Sequence, residues 1–268
     1  MNYFFADRVA SLQPSAIREI LKYTSDPGVI SFAAGNPAPE AFPVEQVREI
    51  SEKLLRDNPI GALQYAVTEG YAPLREYLVS YMKQKHNIGR ESDQLLITAG
   101  AQQVMDLATK SLCNEGDTVI CESPSFIGSL NAFRSYGLKL CGIPMQDDGM
   151  DVEALEQALK TEKRARFIYT IPNFQNPSGI TMSMEKRRRV YELARQYGVT
   201  VLEDNPYAAA FASLVILTGN PVLRASISRP SRAWTRTAAS FTRAPSPRCF
   251  RPVCGWATQS PQPPSSQR

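Results

Sequence analysis

The chain has 268 residues, 43% of them hydrophobic, enough to bury the core of one large domain or two small ones. A single histidine, His86, excludes a histidine-based triad or multi-histidine metal centre, and the absence of any run of about 18 apolar residues excludes a membrane-spanning helix. The net charge of +4 is a composite: all 26 acidic residues lie at or before Asp204, whereas residues 208–268 hold eight Arg, no Lys and no acid.

The start, Met1 to Arg8, lacks the basic flank and long apolar core of a secretory signal. Residues 8–24 are predicted to open the fold as a helix, with Ile17, Ile20 and Leu21 on one face and Ser15 or a neighbour as cap. Ile30 to Pro37 then runs extended into a turn. Gly35 there is either a plain turn residue or a point of close backbone approach to a ligand. Val44 to Leu55 is amphipathic and helical. Tyr65 follows, and a further helix starts over Gly70 to Leu78 with Pro73 in its first turn.

Gln94 to Thr98 reads as a strand, Ala99-Gly100-Ala101-Gln102-Gln103 as a small-residue turn, and Val104 to Leu112 as the helix that leaves it. This is either a plain strand-to-helix connection or an anion site, where free N–H groups and the helix dipole converge. A second strand, Thr118–Cys121, is followed by Phe126. Its ring serves either core packing or stacking on a flat ligand. Further strands are predicted at 138–143, 167–171 and 199–202, and helices at 152–159 and 184–197. Alternation of strand and helix argues for an α/β domain with a largely parallel sheet. The last strand delivers an acid, Asp204, and a phenol, Tyr207, into a site. The five cysteines lack paired metal spacing and read as free thiols in a reducing cytoplasm.

Four stretches together resemble the fold-type I pyridoxal-phosphate aminotransferases, class I/II: Ser31 to Pro37, Thr98 to Gln103, Asn176-Pro177-Ser178-Gly179 and Glu203 to Tyr207. The closest group is the aminoadipate/kynurenine/branched-chain type, also found as the C-terminal domain of MocR-type regulators. The resemblance covers residues 1–207 and implies an N-terminal arm and helix (1–45) and a partial large domain (46–207) with a mostly parallel sheet and flanking helices. It implies that Gly100, Ala101 and Gln102 cradle the phosphate of pyridoxal 5′-phosphate and that Phe126 stacks on its ring. Asn176 and Tyr207 would bond the ring hydroxyl, and Asp204 would pair with the pyridine nitrogen, keeping it protonated. Tyr65 resembles a residue that reaches the phosphate of a neighbouring subunit, which implies a homodimer. Gly35 resembles the residue beside the substrate carboxylate. The reaction implied is transamination between an amino acid and a 2-oxo acid, in the cytoplasm, with no nucleic acid, membrane or metal involved.

The family also has a Schiff-base lysine a few tens of residues after the Asp204 strand, and an Arg for phosphate beyond it. Here no lysine follows Lys186. Read one base earlier, with third bases free, the codons for Phe241 to Thr258 permit YTGTFSKVLSPGLRVGYA, which resembles the missing segment. Its lysine codon would straddle Pro247 and Arg248. The expectation is therefore a frameshifted or truncated aminotransferase whose genuine sequence stops near Tyr207. The Ser/Pro/Arg tail of 208–268 is then aberrant and disordered, the sheet has no strands after Asp204, the small domain is missing and activity is little or none. A real Ser/Pro/Arg tail and nucleic-acid binding by its arginines are the other readings of that segment. A ligand-sensing domain of a MocR-type regulator, for which Met1 leaves no room for a winged helix, and a non-functional fragment are the alternatives for the whole.

Overall fold

A computed structural model describes residues 4, 6–10, 23, 28–29, 39–89, 93–206, 214–217, 222–225 and 254–258. Among these, Asp7–Ala10 (α1) is helical. Of the helix expected over 8–24, residues 11–22 and 24 lie outside the described residues, as do the extended segment from Ile30 to Pro37 with Gly35, and Tyr207, whereas Tyr23 is in a turn.

Strand periodicity builds the core. In β2 (Thr118–Ser123), Val119 and Cys121 face one way and Ile120 the other. β5 (Ala165–Thr170) turns Phe167 and Tyr169 to the first face and Ile168 to the second. β6 (Thr200–Asp204) divides Leu202 from Val201 in the same manner. Successive side chains of a strand point to opposite faces, so continuous apolar runs bury both sides of a sheet. The first face is covered by α5 (Ala101–Leu112) and α6 (Ile127–Ser135), through Val104, Met105, Ala132 and Phe133. The second is covered by α7 (Val152–Thr161) and α8 (Met184–Tyr197), through Leu155, Leu159, Val190 and Leu193. The Phe133 ring meets Phe167 and Tyr169 edge-on, at 5.2 and 5.3 Å between centroids.

Parallel pairing runs through β3 (Lys139–Gln146), β2, β5 and β6, with α6 between β2 and β3, α7 leading into β5 and α8 between β5 and β6 along the chain. The two-residue β4 (Gly149–Met150) closes one side as a hairpin with β3. The sheet does not end at β6. Leu214–Leu217 (β7), Val222–Ala225 (β8) and Cys254–Thr258 (β9) continue it to β1 (Asp93–Leu96), in the order β1-β9-β7-β8-β6-β5-β2-β3-β4. β8 lies parallel to β6, and β9 antiparallel to β1. The expectation of no strand after Asp204, and of a tail disordered throughout, is corrected at these three stretches. An unpaired β6 edge leaves a row of N–H and C=O groups to satisfy, and the apolar run Leu214-Val215-Ile216-Leu217 is a strand signal that the tail's composition masks.

Away from the sheet lie α2 (Val44–Asp57), α3 (Pro59–Leu63) and α4 (Ala72–His86). Asn58 ends α2 and caps α3, its side chain accepting from the Gly61 N–H at 3.1 Å. Leu78 and Met82 of α4 pack on Leu95 of β1.

Candidate cofactor site

Asp204 ends β6 on the face shared with Leu202 and is 4% exposed. The Tyr169 hydroxyl donates to its Oδ2 at 2.7 Å, and the same hydroxyl lies 2.9 Å from Ser129 Oγ. Asp204 Oδ1 is buried with no hydrogen-bond partner among the described residues. A buried acceptor without a donor is costly and needs an explanation. Burial pushes the carboxyl up to about 7, against the opposing hydrogen bond from Tyr169. Burial, reinforced by the adjacent Asp204 charge, lifts the Tyr169 phenol well above its ordinary range. A cationic N–H donor facing Oδ1 would remove both the orphan and the charge penalty.

Ser129 belongs to the first turn of α6, and that turn leads to the second half of the site. The Gly128 carbonyl accepts from Gln102 Nε2 at 3.2 Å. A Cβ placed on Gly128 would stand 2.6 Å from the Phe126 ring and 3.4 Å from Gln102 Oε1, so a side chain there would crowd both. Gln102 and Phe126 are thus neighbours, and Phe126 also packs on the core beneath.

Gly100 precedes α5 with φ +91° and ψ 154°, a conformation that side-chain-bearing residues rarely adopt. The starts of α7 and α8 are closed by the side chains of Asp151 and Ser183, which accept from the N–H groups of Ala154 and Lys186. Among the described residues no side chain caps α5 at Gly100, and beyond its chain neighbours nothing lies within 4 Å of where a Gly100 Cβ would be. The Gln103 N–H donates to the Gly100 carbonyl and the Gln103 side chain accepts from the Ala99 N–H, whereas the first N–H groups of a helix have no intrahelical acceptor and suit an anion.

The Asn176 loop reaches the same region. It leaves the end of β5, contains a cis peptide bond before Pro177, as the segment after β2 does before Pro124, and is tied beside Asp204 by Asn173 Nδ2 donating to Asn205 Oδ1 at 2.8 Å. Gly100, Ala101, Gln102, Phe126, Asn176 and Asp204 therefore gather around the C-terminal ends of β2, β5 and β6, where ligands bind in parallel α/β sheets. Tyr65 is not among them: it follows α3 with its ring 100% exposed. Gly35 and Tyr207 lie outside the described residues. Tyr169 and Ser129 carry no motif, but a tyrosine inside a buried strand needs a partner for its hydroxyl, and that need was the available signal.

An uncapped helix start, a ring wall and a buried carboxylate with one open oxygen fit a flat, protonated nitrogen heterocycle that carries an anionic group. The chain matches the family Aminotransferase class I and II over residues 27–227, running past the compositional boundary at Tyr207. It is 39% identical over 235 residues to the aromatic-amino-acid aminotransferase 1 of Thermococcus litoralis, covering 86% of this chain and 54% of that protein. The crystal structure of Pyrococcus horikoshii kynurenine aminotransferase in complex with PMP is similar with a TM-score of 0.73 and 34% identity, over 84% of this chain and 58% of that one. An uncharacterized HTH-type transcriptional regulator of Bacillus subtilis, YdfD, is 32% identical over 191 residues, 71% of this chain and 39% of that protein. The chain spans about half the length of these relatives or less.

Proposed function

This chain belongs to the class I and II aminotransferases, and from that premise we propose that it builds a pyridoxal-phosphate pocket which holds the cofactor without a covalent link. The open Oδ1 of Asp204 carries the reading. It is a buried carboxylate oxygen awaiting a donor, at the strand end where the family resemblance puts the ring nitrogen. Asp204 would hold the proton on that nitrogen, with Tyr169, itself bonded to Ser129, holding Asp204. The N–H groups at Gly100 and Ala101, with Gln102, would receive the phosphate. Phe126 would cover one ring face, and Asn176, with Tyr207, would bond the ring hydroxyl. Gly35 would lie beside the substrate carboxylate. When bound, the cofactor supplies an electron-accepting ring that eases loss of the proton next to an amino group.

The reaction proposed for the lineage is amino transfer between an amino acid and a 2-oxo acid. Moving the proton requires a base beside the substrate carbon. No lysine follows Lys186 in the sequence, and Lys186 itself is committed elsewhere, its Nζ 2.7 Å from Asp148 and bonded to Gln146. We therefore propose that transamination by this chain is negligible. Titration with pyridoxal phosphate followed by borohydride and peptide mass mapping tests this: saturable uptake with no specific lysine labelled is expected. Stoichiometric label on a single lysine would sink the non-covalent reading.

Pairing of two copies is part of the proposal. Ile60, Leu63 and Tyr65 project into solvent at 73%, 78% and 100% exposure, and no residue of α2 is buried. A run of apolar side chains of this kind on one surface suits a protein interface. The free thiols of Cys113, Cys121 and Cys141 fit the cytoplasm. A ligand-sensing role is the second reading, favoured by the similarity to the Bacillus regulator. It shares the pocket and differs in needing no catalytic base.

A further inference from the structure

Glu122 lies at the end of β2 on the face opposite Asp204, 1% exposed, and the chemistry above makes no use of it. In its hydrogen bonds with the described residues it is the acceptor. Thr170 Oγ1 donates to Oε1 at 2.5 Å, the Ile171 N–H lies 3.2 and 3.1 Å from the two oxygens, and Gln175 Nε2 donates to Oε2 at 3.1 Å. Gln175, also 1% exposed, reaches further. Its Nε2 donates to the Pro124 carbonyl at 2.8 Å, and its Oε1 accepts from the Ser178 N–H at 2.9 Å. Glu122 and Pro124 lie on the segment that leads to Phe126, whereas Gln175 immediately precedes Asn176. One buried carboxylate–amide pair thus joins the segment that carries Phe126, which would cover a ring face, to the loop that carries Asn176, which would bond the ring hydroxyl. From the outer side Arg187 fastens the same loop, donating to the carbonyls of Met182 and Pro172 and to Asn173 Oδ1 at 2.9, 2.8 and 2.8 Å.

We propose that Glu122 and Gln175 are positioning residues that set the separation of the Phe126 ring from the Asn176 amide, so that the slot exists before any ligand enters. The purpose of the slot rests on the cofactor reading above; the clamp itself rests on the contacts just described. A carboxylate suits the place because hydroxyl, backbone and amide donors converge on it. An isosteric amide would set its own N–H groups against some of them. Burial raises the Glu122 carboxyl to about 7, so the arrangement is held against a desolvation cost that packing alone does not require. Satisfied buried polar networks of this sort specify a single geometry and lose it when one member changes.

The test uses the full chain with Glu122→Gln and, as a second variant, Gln175→Leu, which leaves Glu122 bonded to Thr170 and Ile171. Hydrogen exchange without ligand is expected to accelerate by about tenfold or more at amides 171–179 while those of β2 stay at wild-type rates, one tenfold step being about 1.4 kcal/mol of local opening. Affinity for pyridoxal phosphate in equilibrium dialysis is expected to weaken by about tenfold, and the induced circular dichroism of the saturated cofactor to fall. If Glu122→Gln fails to fold, Gln175→Leu decides. Wild-type exchange at 171–179 in the folded variants would overturn the clamp. Failure of the wild-type chain to take up cofactor would instead overturn the cofactor reading, and the exchange data would still decide the clamp.

Discussion

Asp204 and Asp117 are both buried, and their surroundings drive them in opposite directions. Asp117 accepts from Arg166 Nε at 2.7 Å, Arg164 Nε at 2.8 Å and the Asn114 N–H at 2.8 Å. These donors, Arg166 foremost, hold its carboxyl down to about 2. A folded-state value below the ordinary one means stabilisation that is complete above the usual carboxylate range and lost as pH falls through about 2. Asp117→Ala is expected to cost about 1–3 kcal/mol in urea unfolding at pH 7, because the charge-assisted hydrogen bonds from the half-exposed Arg164 and Arg166 and the bond from the Asn114 N–H are lost, and the loss should shrink near pH 2. Asp204 is the reverse case. Its value near 7 lies above the ordinary one, so its burial subtracts stability above pH 7, and the penalty fades as pH falls towards 4. Asp204→Asn should therefore raise the thermal midpoint of the unliganded chain at pH 8, less so at pH 5, and weaken pyridoxal phosphate binding by about tenfold or more. A lower midpoint at pH 8 would contradict the assignment. The sequence disclosed Asp204 because it ends an apolar strand run. It did not disclose Tyr169, since a tyrosine among Phe167, Ile168 and Ile171 looks like core until its hydroxyl is located.

Whole elements were legible where pattern and punctuation agree. α2, α5, α7 and α8 follow amphipathic periodicity, and Asp151, Ser183 and Gly198 mark their ends. α6 was not foreseen: Gly128, Ser129 and Asn131 are poor helix formers, and the helix stands on the packing of Ala132 and Phe133 against the sheet. The start of α5 joins stability to binding. Gly100→Ala has room for its methyl but not for its backbone angle, so a cost of about 1–2 kcal/mol is expected in unfolding. The methyl would also enter the space where an anion would lie. Competition by inorganic phosphate should weaken in that variant and remain unchanged for Gly116→Ala, a positive-φ glycine beside Arg164. Equal loss in both variants would mean that backbone strain alone is being measured.

On the scale of the whole molecule, composition misled in one direction and informed in another. The change after Asp204 drew attention from Leu214–Leu217 and Val222–Ala225, which share the sheet with β6 through β8. The same change exposed the lack of lysine beyond Lys186, on which the forecast of negligible activity depends. Association belongs to this scale too. Sedimentation velocity should show a dimer at about 10 μM, and the double change Ile60→Asp with Leu63→Asp should yield monomer, because each charge would have to be desolvated at the interface. A wild-type monomer at that concentration would remove the pairing proposal.

The Tyr65 ring, wholly in water on the isolated chain, serves nothing among the described residues of its own copy. Under the proposed pairing, its service is to a neighbour. Occupancy by the cofactor would then be a property of the solution and not of the single polypeptide, rising more steeply than first order with protein concentration and washing out on dilution. A mixture of Tyr65→Phe and Asp204→Asn chains would regain, in the heterodimers alone, one pocket with both of its proper contributors.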